Sequence, residues 1–66
     1  MQNEQLKQIK ADLTNGVQYE NYVANWYSVI NVEQNRFMLN INDEIKFYKN
    51  LDSVAKRINQ LLNKGA

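Results

Sequence analysis

The chain has 66 residues, a formal charge of +1 and neither cysteine nor histidine. A length of this order makes one small domain, residues 1–66, whose core supplies only a few kcal/mol of net stability. The missing residue types exclude disulfides, thiolate nucleophiles, imidazole bases and the usual zinc or iron ligand sets, so no metal and no cofactor is expected.

No apolar run approaches the roughly 20 residues that span a bilayer. Nothing near Met1 pairs a charged region with an apolar one. The expectation is a cytoplasmic protein with no membrane partner. Charge is unevenly placed: Lys7 and Lys10 stand against Glu4, Asp12, Glu20 and Glu33 in the first half, whereas Arg36, Lys46, Lys49, Lys56, Arg57 and Lys64 outnumber Asp43, Glu44 and Asp52 in the second. Asn is in excess, Gln, Lys, Ile and Tyr are common, and Pro is absent. Those residues use A/T-rich codons, which suggests a low-GC bacterium or one of its phages or plasmids.

Residues 3–14 carry Leu6, Ile9 and Leu13 at helical spacing, with Asn3 as cap and Asn15-Gly16 as stop. This is a short amphipathic helix whose stripe of three large apolar residues must dock on something to persist. Residues 17–25 are ambiguous, since Tyr19, Tyr22, Val23 and Trp26 match a helix period while the mix of Tyr, Val and Trp also suits a strand; a loop feeding a strand is the expectation.

From Trp26 the alternation is clear. Trp26, Ser28, Ile30 and Val32 alternate with Tyr27, Val29 and Asn31, and after a Glu33-Gln34-Asn35 turn Phe37, Leu39 and Ile41 alternate with Met38, Asn40 and Asn42. Two such runs predict a β-hairpin. A second turn at Asn42-Asp43-Glu44 leads to a third strand, with Ile45 and Phe47 alternating with Lys46 and Tyr48. A second helix follows, capped by Asn50, with a stripe of Leu51, Val54, Ala55, Ile58, Leu61 and Leu62, Asp52 in its first turn and Lys64-Gly65 as its stop.

The predicted fold is therefore α+β, in the order α-β-β-β-α: a three-stranded antiparallel sheet with an N-terminal and a C-terminal helix on one face. Ile30, Val32, Phe37, Leu39, Ile41, Ile45 and Phe47 are assigned to the face beneath the helices. Tyr27, Val29, Asn31, Arg36, Met38, Asn40, Lys46 and Tyr48 are assigned to the open one, and a slip of one residue would exchange the two sets.

Catalysis is not expected. Asp43-Glu44 sits in a polar turn that solvates both carboxylates, Ser28 and Ser53 have no histidine partner, and no Gly-rich phosphate loop exists. The candidate binding surface is Tyr27, Val29, Arg36, Met38, Lys46 and Tyr48 on the open sheet face, with Lys56 and Arg57 on the second helix. It has two readings, unless residues 17–25 or a second copy of the chain cover it. Aromatic anchors with an Asn-rich rim suit a protein partner, or a homodimer. Aromatic faces with nearby cations suit stacking on bases and neutralising phosphates. The near-neutral total charge favours a small accessory or regulatory protein-binding role, with nucleic-acid binding as the alternative.

The helix, three-strand, helix order resembles that of double-stranded RNA-binding domains, and YKNLDSVAKRINQLL resembles the passage where that family starts its basic helix. The resemblance implies phosphate contacts from the helix start. Asn50, Leu51, Asp52 and Ser53 stand here where that family carries lysines.

Overall fold

A computed structural model describes residues 2–64. The elements in chain order are helix α1 (Gln2–Thr14), strands β1 (Glu20–Asn21), β2 (Trp26–Asn31), β3 (Arg36–Ile41) and β4 (Glu44–Phe47), and helix α2 (Leu51–Lys64). The four strands form one antiparallel sheet in the order β1-β2-β3-β4. The fold is α+β with both helices on one face, but the sheet has four strands where the sequence predicts three. The order α-β-β-β-β-α also departs from that of double-stranded RNA-binding domains. The additional strand lies in the ambiguous segment 17–25, where Glu20 pairs with Tyr27 and Asn21 with Trp26.

Each helix forms for reasons visible in its stripe. Ile9 and Leu13 of α1 and Val54, Ala55 and Ile58 of α2 are buried, with Leu6, Leu51, Leu61 and Leu62 packed around them. The helices contact each other, α1 lies over β2 and α2 over β3. Beneath them Trp26, Ile30, Phe37 and Leu39 complete the core. The molecule measures 29 × 29 × 17 Å, so its thinnest direction holds one sheet and one layer of helices and nothing more.

The helix ends follow the chemistry of their caps. Asn50 Oδ1 accepts the Ser53 N–H at 2.9 Å, as expected of an N-cap. At the end of α1, Val17 N–H donates to the Asp12 carbonyl at 2.8 Å and Gly16 N–H to that of Leu13 at 3.2 Å, with Gly16 at φ 85°. This is a Schellman stop, for which glycine supplies the left-handed backbone. The expected cap by the Asn3 side chain and the stop at Lys64-Gly65 lie outside the described residues.

The asparagines have a structural use. Asn25, Asn35 and Asn42, together with Asp43, have positive φ, a region that Asn and Asp enter more readily than other residues with a Cβ. Asn21 and Asn31 open two parallel turns by accepting the N–H three residues on, Ala24 at 3.0 Å and Gln34 at 3.2 Å. Chain reversals left to glycine in many proteins fall here to asparagine.

The two outer edges of the sheet are unlike. Beyond the two residues of β1, the Gln18 side chain takes over as a substitute strand: its Oε1 accepts the Ile30 N–H at 2.9 Å and its Nε2 donates to the Ile30 carbonyl at 2.7 Å. Ser28 is buried; its N–H donates to the Tyr19 carbonyl at 2.9 Å and its Oγ accepts the Tyr19 N–H at 2.9 Å. Among the described residues the β4 edge has no comparable cover, and all four residues of β4 are exposed.

Candidate functional surface

The face assignment for β2 and β3 matches the structure. Trp26, Ser28, Ile30, Phe37 and Leu39 point under the helices and are buried, while Tyr27, Val29, Asn31 and Arg36 are exposed on the other side. Met38 and Asn40 are half-buried on that open side.

For β4 the assignment is reversed. The turn between β3 and β4 contains only Asn42 and Asp43, with φ 52° and 68°, and Ile41 pairs directly with Glu44. Positive φ at both central residues is the requirement of a two-residue type I′ hairpin turn. Glu44 therefore begins the strand instead of ending the turn, and every β4 side chain changes face. Ile45 pairs with Asn40 and Phe47 with Met38 on the open side, whereas Lys46 pairs with Leu39 on the helix side. Ile45 and Phe47, expected in the core, are 55% and 75% exposed. Lys46 and Tyr48, expected on the open face, lie on the helix side; Lys46 is exposed and Tyr48 packs against the core.

The open face thus carries two cross-strand rows. One runs Glu20, Tyr27, Asn40, Ile45; the other runs Val29, Met38, Phe47. Tyr27, Val29, Met38, Ile45 and Phe47 make one apolar patch, in which the Asn40 side-chain N–H donates to the Tyr27 hydroxyl at 3.3 Å. Polar groups rim it, with Glu20 at one end and Asn31 paired to Arg36 at the other. Tyr22 and Val23, in the turn that follows β1, are exposed, so residues 17–25 extend the sheet without burying its face.

Of the candidate residues, Tyr27, Val29, Arg36 and Met38 come together on this face. Lys46, Tyr48, Lys56 and Arg57 do not join them. Lys56 is exposed on α2 and Arg57 is half-buried there, donating to Gln60 Oε1 at 3.2 Å. The sequence reading missed Ile45 and Phe47 as surface residues. The signal that would have found them is the Asn42-Asp43 pair: read as a two-residue turn, it fixes the pairing of Ile41 with Glu44 and turns Ile45 outward.

The titration of three groups follows from local contacts. Burial, and then the hydrogen bond and charge of Asp12, push the Tyr19 hydroxyl up to about 12. The Tyr22 hydroxyl is raised by its 2.8 Å bond to Glu20 and by that charge. The Asp52 carboxyl is lowered by its hydrogen bond with Lys10, 2.5 Å away, and by the charges of Lys10 and Lys56. Tyr19 to Asp12 ties the β1 approach to α1, and Lys10 to Asp52 ties α1 to the start of α2. Both pairs belong to the helix layer and stand apart from the apolar patch.

Among the described residues, no three Asp or Glu side chains gather as a metal site, and no helix is long and apolar enough to cross a membrane. A cleft of about 430 Å³, open to solvent, lies between the end of α1 and the β2–β3 turn, lined by residues such as Leu13, Gln18 and Glu33. Comparison with protein-family models, with curated proteins and with solved structures finds no match to this chain.

Proposed function

We propose that this chain is a small non-catalytic binding module that docks a protein partner on the open face of its sheet. The observation that carries the reading is the exposure of Ile45 and Phe47 beside Tyr27, Val29 and Met38, with one polar or charged rim. A contiguous apolar patch with a polar border is the usual composition of a protein-docking surface, since burying it against a partner removes it from water. Phe47 and Tyr27 are the anchors, because aromatic side chains bury much area at little cost in rotamer freedom.

The distribution of charge favours a protein over a nucleic acid. Stacking on bases needs cations beside the aromatic faces to meet the phosphates. Here Arg36 shares the open face with Glu20, while Lys46, Lys56 and Arg57 belong to the helix side.

The test compares capture of binding partners by the wild-type chain, by the double variant Ile45→Ser/Phe47→Ser and by Lys56→Ala/Arg57→Ala. The reading expects the face variant to lose its partner and the helix variant to keep it. Loss confined to the helix variant, with salt-sensitive recovery of nucleic acid by the wild type, would overturn the reading in favour of the alternative.

A further inference from the structure

The edge of β4 has a hydrogen-bonding geometry that follows from one contact. The Tyr48 N–H donates to the Phe37 carbonyl at 2.7 Å, so Tyr48, Lys46 and Glu44 direct their backbone groups towards β3. Alternation along an antiparallel strand then turns the N–H and C=O of Ile45 and Phe47 outward. The same two residues hold their side chains on the open face. Unpaired backbone groups and exposed apolar side chains therefore coincide on one strand, the condition under which a sheet edge recruits another strand.

We propose that the strand recruited is β4 of a second copy, paired antiparallel about a two-fold axis at Ile45. Charge complementarity selects this partner and this register. Glu44 and Lys46 lie on one face of β4, two residues apart, with Ile45 between them. In a symmetric antiparallel pair with Ile45 opposite the partner's Ile45, Glu44 meets the partner's Lys46 and Lys46 meets the partner's Glu44. Opposite charges directly across a ladder stabilise it, and like charges weaken it. The neighbouring register, with Ile45 opposite Phe47, sets two copies of Lys46 against each other. Lys46 thus acts against one register and for the other.

On the open face, the chosen register places each Phe47 diagonal to the partner's Ile45, within reach of an aromatic ring. The two apolar patches join across the axis into a single surface on an eight-stranded sheet. A two-fold pairing uses the β4 edge of both copies, so growth through that edge stops at two, while at the other side of the sheet Gln18 occupies the Ile30 backbone groups. A four-residue ladder buries less than a standard stable interface, so the dimer is weak and depends on concentration. The inference rests on the same β4 register as the docking reading, and different variants read the two: the Ile45→Ser/Phe47→Ser capture test reads the face, and the charge variants below read the edge.

The test is sedimentation equilibrium of the full chain from micromolar to millimolar concentration, on the wild type, Glu44→Lys, Lys46→Glu, the double exchange and an equimolar mixture of the two single variants. Amide spectra check that each remains folded. The expected result is a wild-type mass rising from 7.8 kDa towards twice that value. Each single variant should weaken self-association about tenfold, and the double exchange and the mixture should both restore it. A wild type that stays monomeric at every concentration would overturn the proposal. So would a dimer indifferent to Glu44→Lys, because the proposed register places Glu44 opposite the partner's Lys46.

Discussion

Ile41 stands directly opposite Glu44 across a turn of two residues, Asn42 and Asp43, both of positive φ. That pairing decides the character of the surface. It sends Glu44 and Lys46 to the helix side, beyond the area that α1 and α2 cover, and it sends Ile45 and Phe47 to the opposite side, where both are exposed.

The first consequence concerns stability. Phe47 is largely exposed and Leu39 is fully buried, so two large apolar residues in adjacent strands should respond very unequally to truncation. Leu39→Ala should cost about 2–5 kcal/mol, enough to unfold most of a domain this small. Phe47→Ser should cost less than about 1 kcal/mol, since little of the ring leaves a packed environment. Urea denaturation of the two variants measures both.

The turn itself makes a second prediction. Asn42 has φ 52°, which a β-branched residue adopts only with strain. Asn42→Val should lower stability by about 1–2 kcal/mol, whereas Asn42→Gly should leave it nearly unchanged. Midpoint shifts in thermal or urea unfolding distinguish the two.

Helix ends supply a third. Removing the Asn50 side chain leaves the Ser53 N–H without its acceptor, so Asn50→Ala should cost about 1 kcal/mol. At Gly16 an added Cβ would meet nothing within 4 Å, so the cost of Gly16→Ala comes from φ +85° alone, about 1–2 kcal/mol. Gly16→Asn should lose less than Gly16→Ala in the same unfolding assay.

Alkaline titration tests the tie between Tyr19 and α1. The neutral hydroxyl is favoured in the folded state, where its ionisation is pushed from 10.0 up to about 12. Its contribution to stability is therefore complete below pH about 10 and is lost as pH rises through about 12. Tyr19 should titrate late by ultraviolet difference absorbance, and Asp12→Asn should bring it back towards the ordinary range while leaving Tyr22, raised by Glu20, unchanged.

Gln18 offers a test at the closed edge. Its amide makes both bonds that a strand residue would make to Ile30. Gln18→Ala should speed amide exchange at Ile30 by tenfold or more while leaving Leu39 protected. Equal acceleration at both sites would mean global destabilisation and no special role for the side chain.

The sequence displayed most of the fold wherever a periodic stripe met a cap. The α2 stripe, Asn50, Asn15-Gly16 and the alternation of β2 and β3 all dictate local structure through contacts within a few residues. Two features were hidden. β1 is two residues long and owes its place to pairing with β2 and to the side chains of Gln18 and Ser28, contacts between residues five to twelve apart that no local period records. The β4 register was hidden for a different reason: Ile45 and Phe47 look like core residues because burial is the usual fate of such side chains, and the turn chemistry of Asn42-Asp43 overrides that preference. The candidate surface was legible in Tyr27, Val29, Arg36 and Met38 and misread in Lys46 and Tyr48, all through that one turn.

Both the docking face and the strand edge depend on the orientation of Phe47, which a nuclear Overhauser measurement on methyl-labelled protein reads. The expected result is cross-peaks from the Phe47 ring to the Met38 side chain and none to Val54 or Ile58. Strong contacts from the Phe47 ring to Ile58 or Val54 would place it beneath α2 and contradict both the docking face and the strand edge built on it.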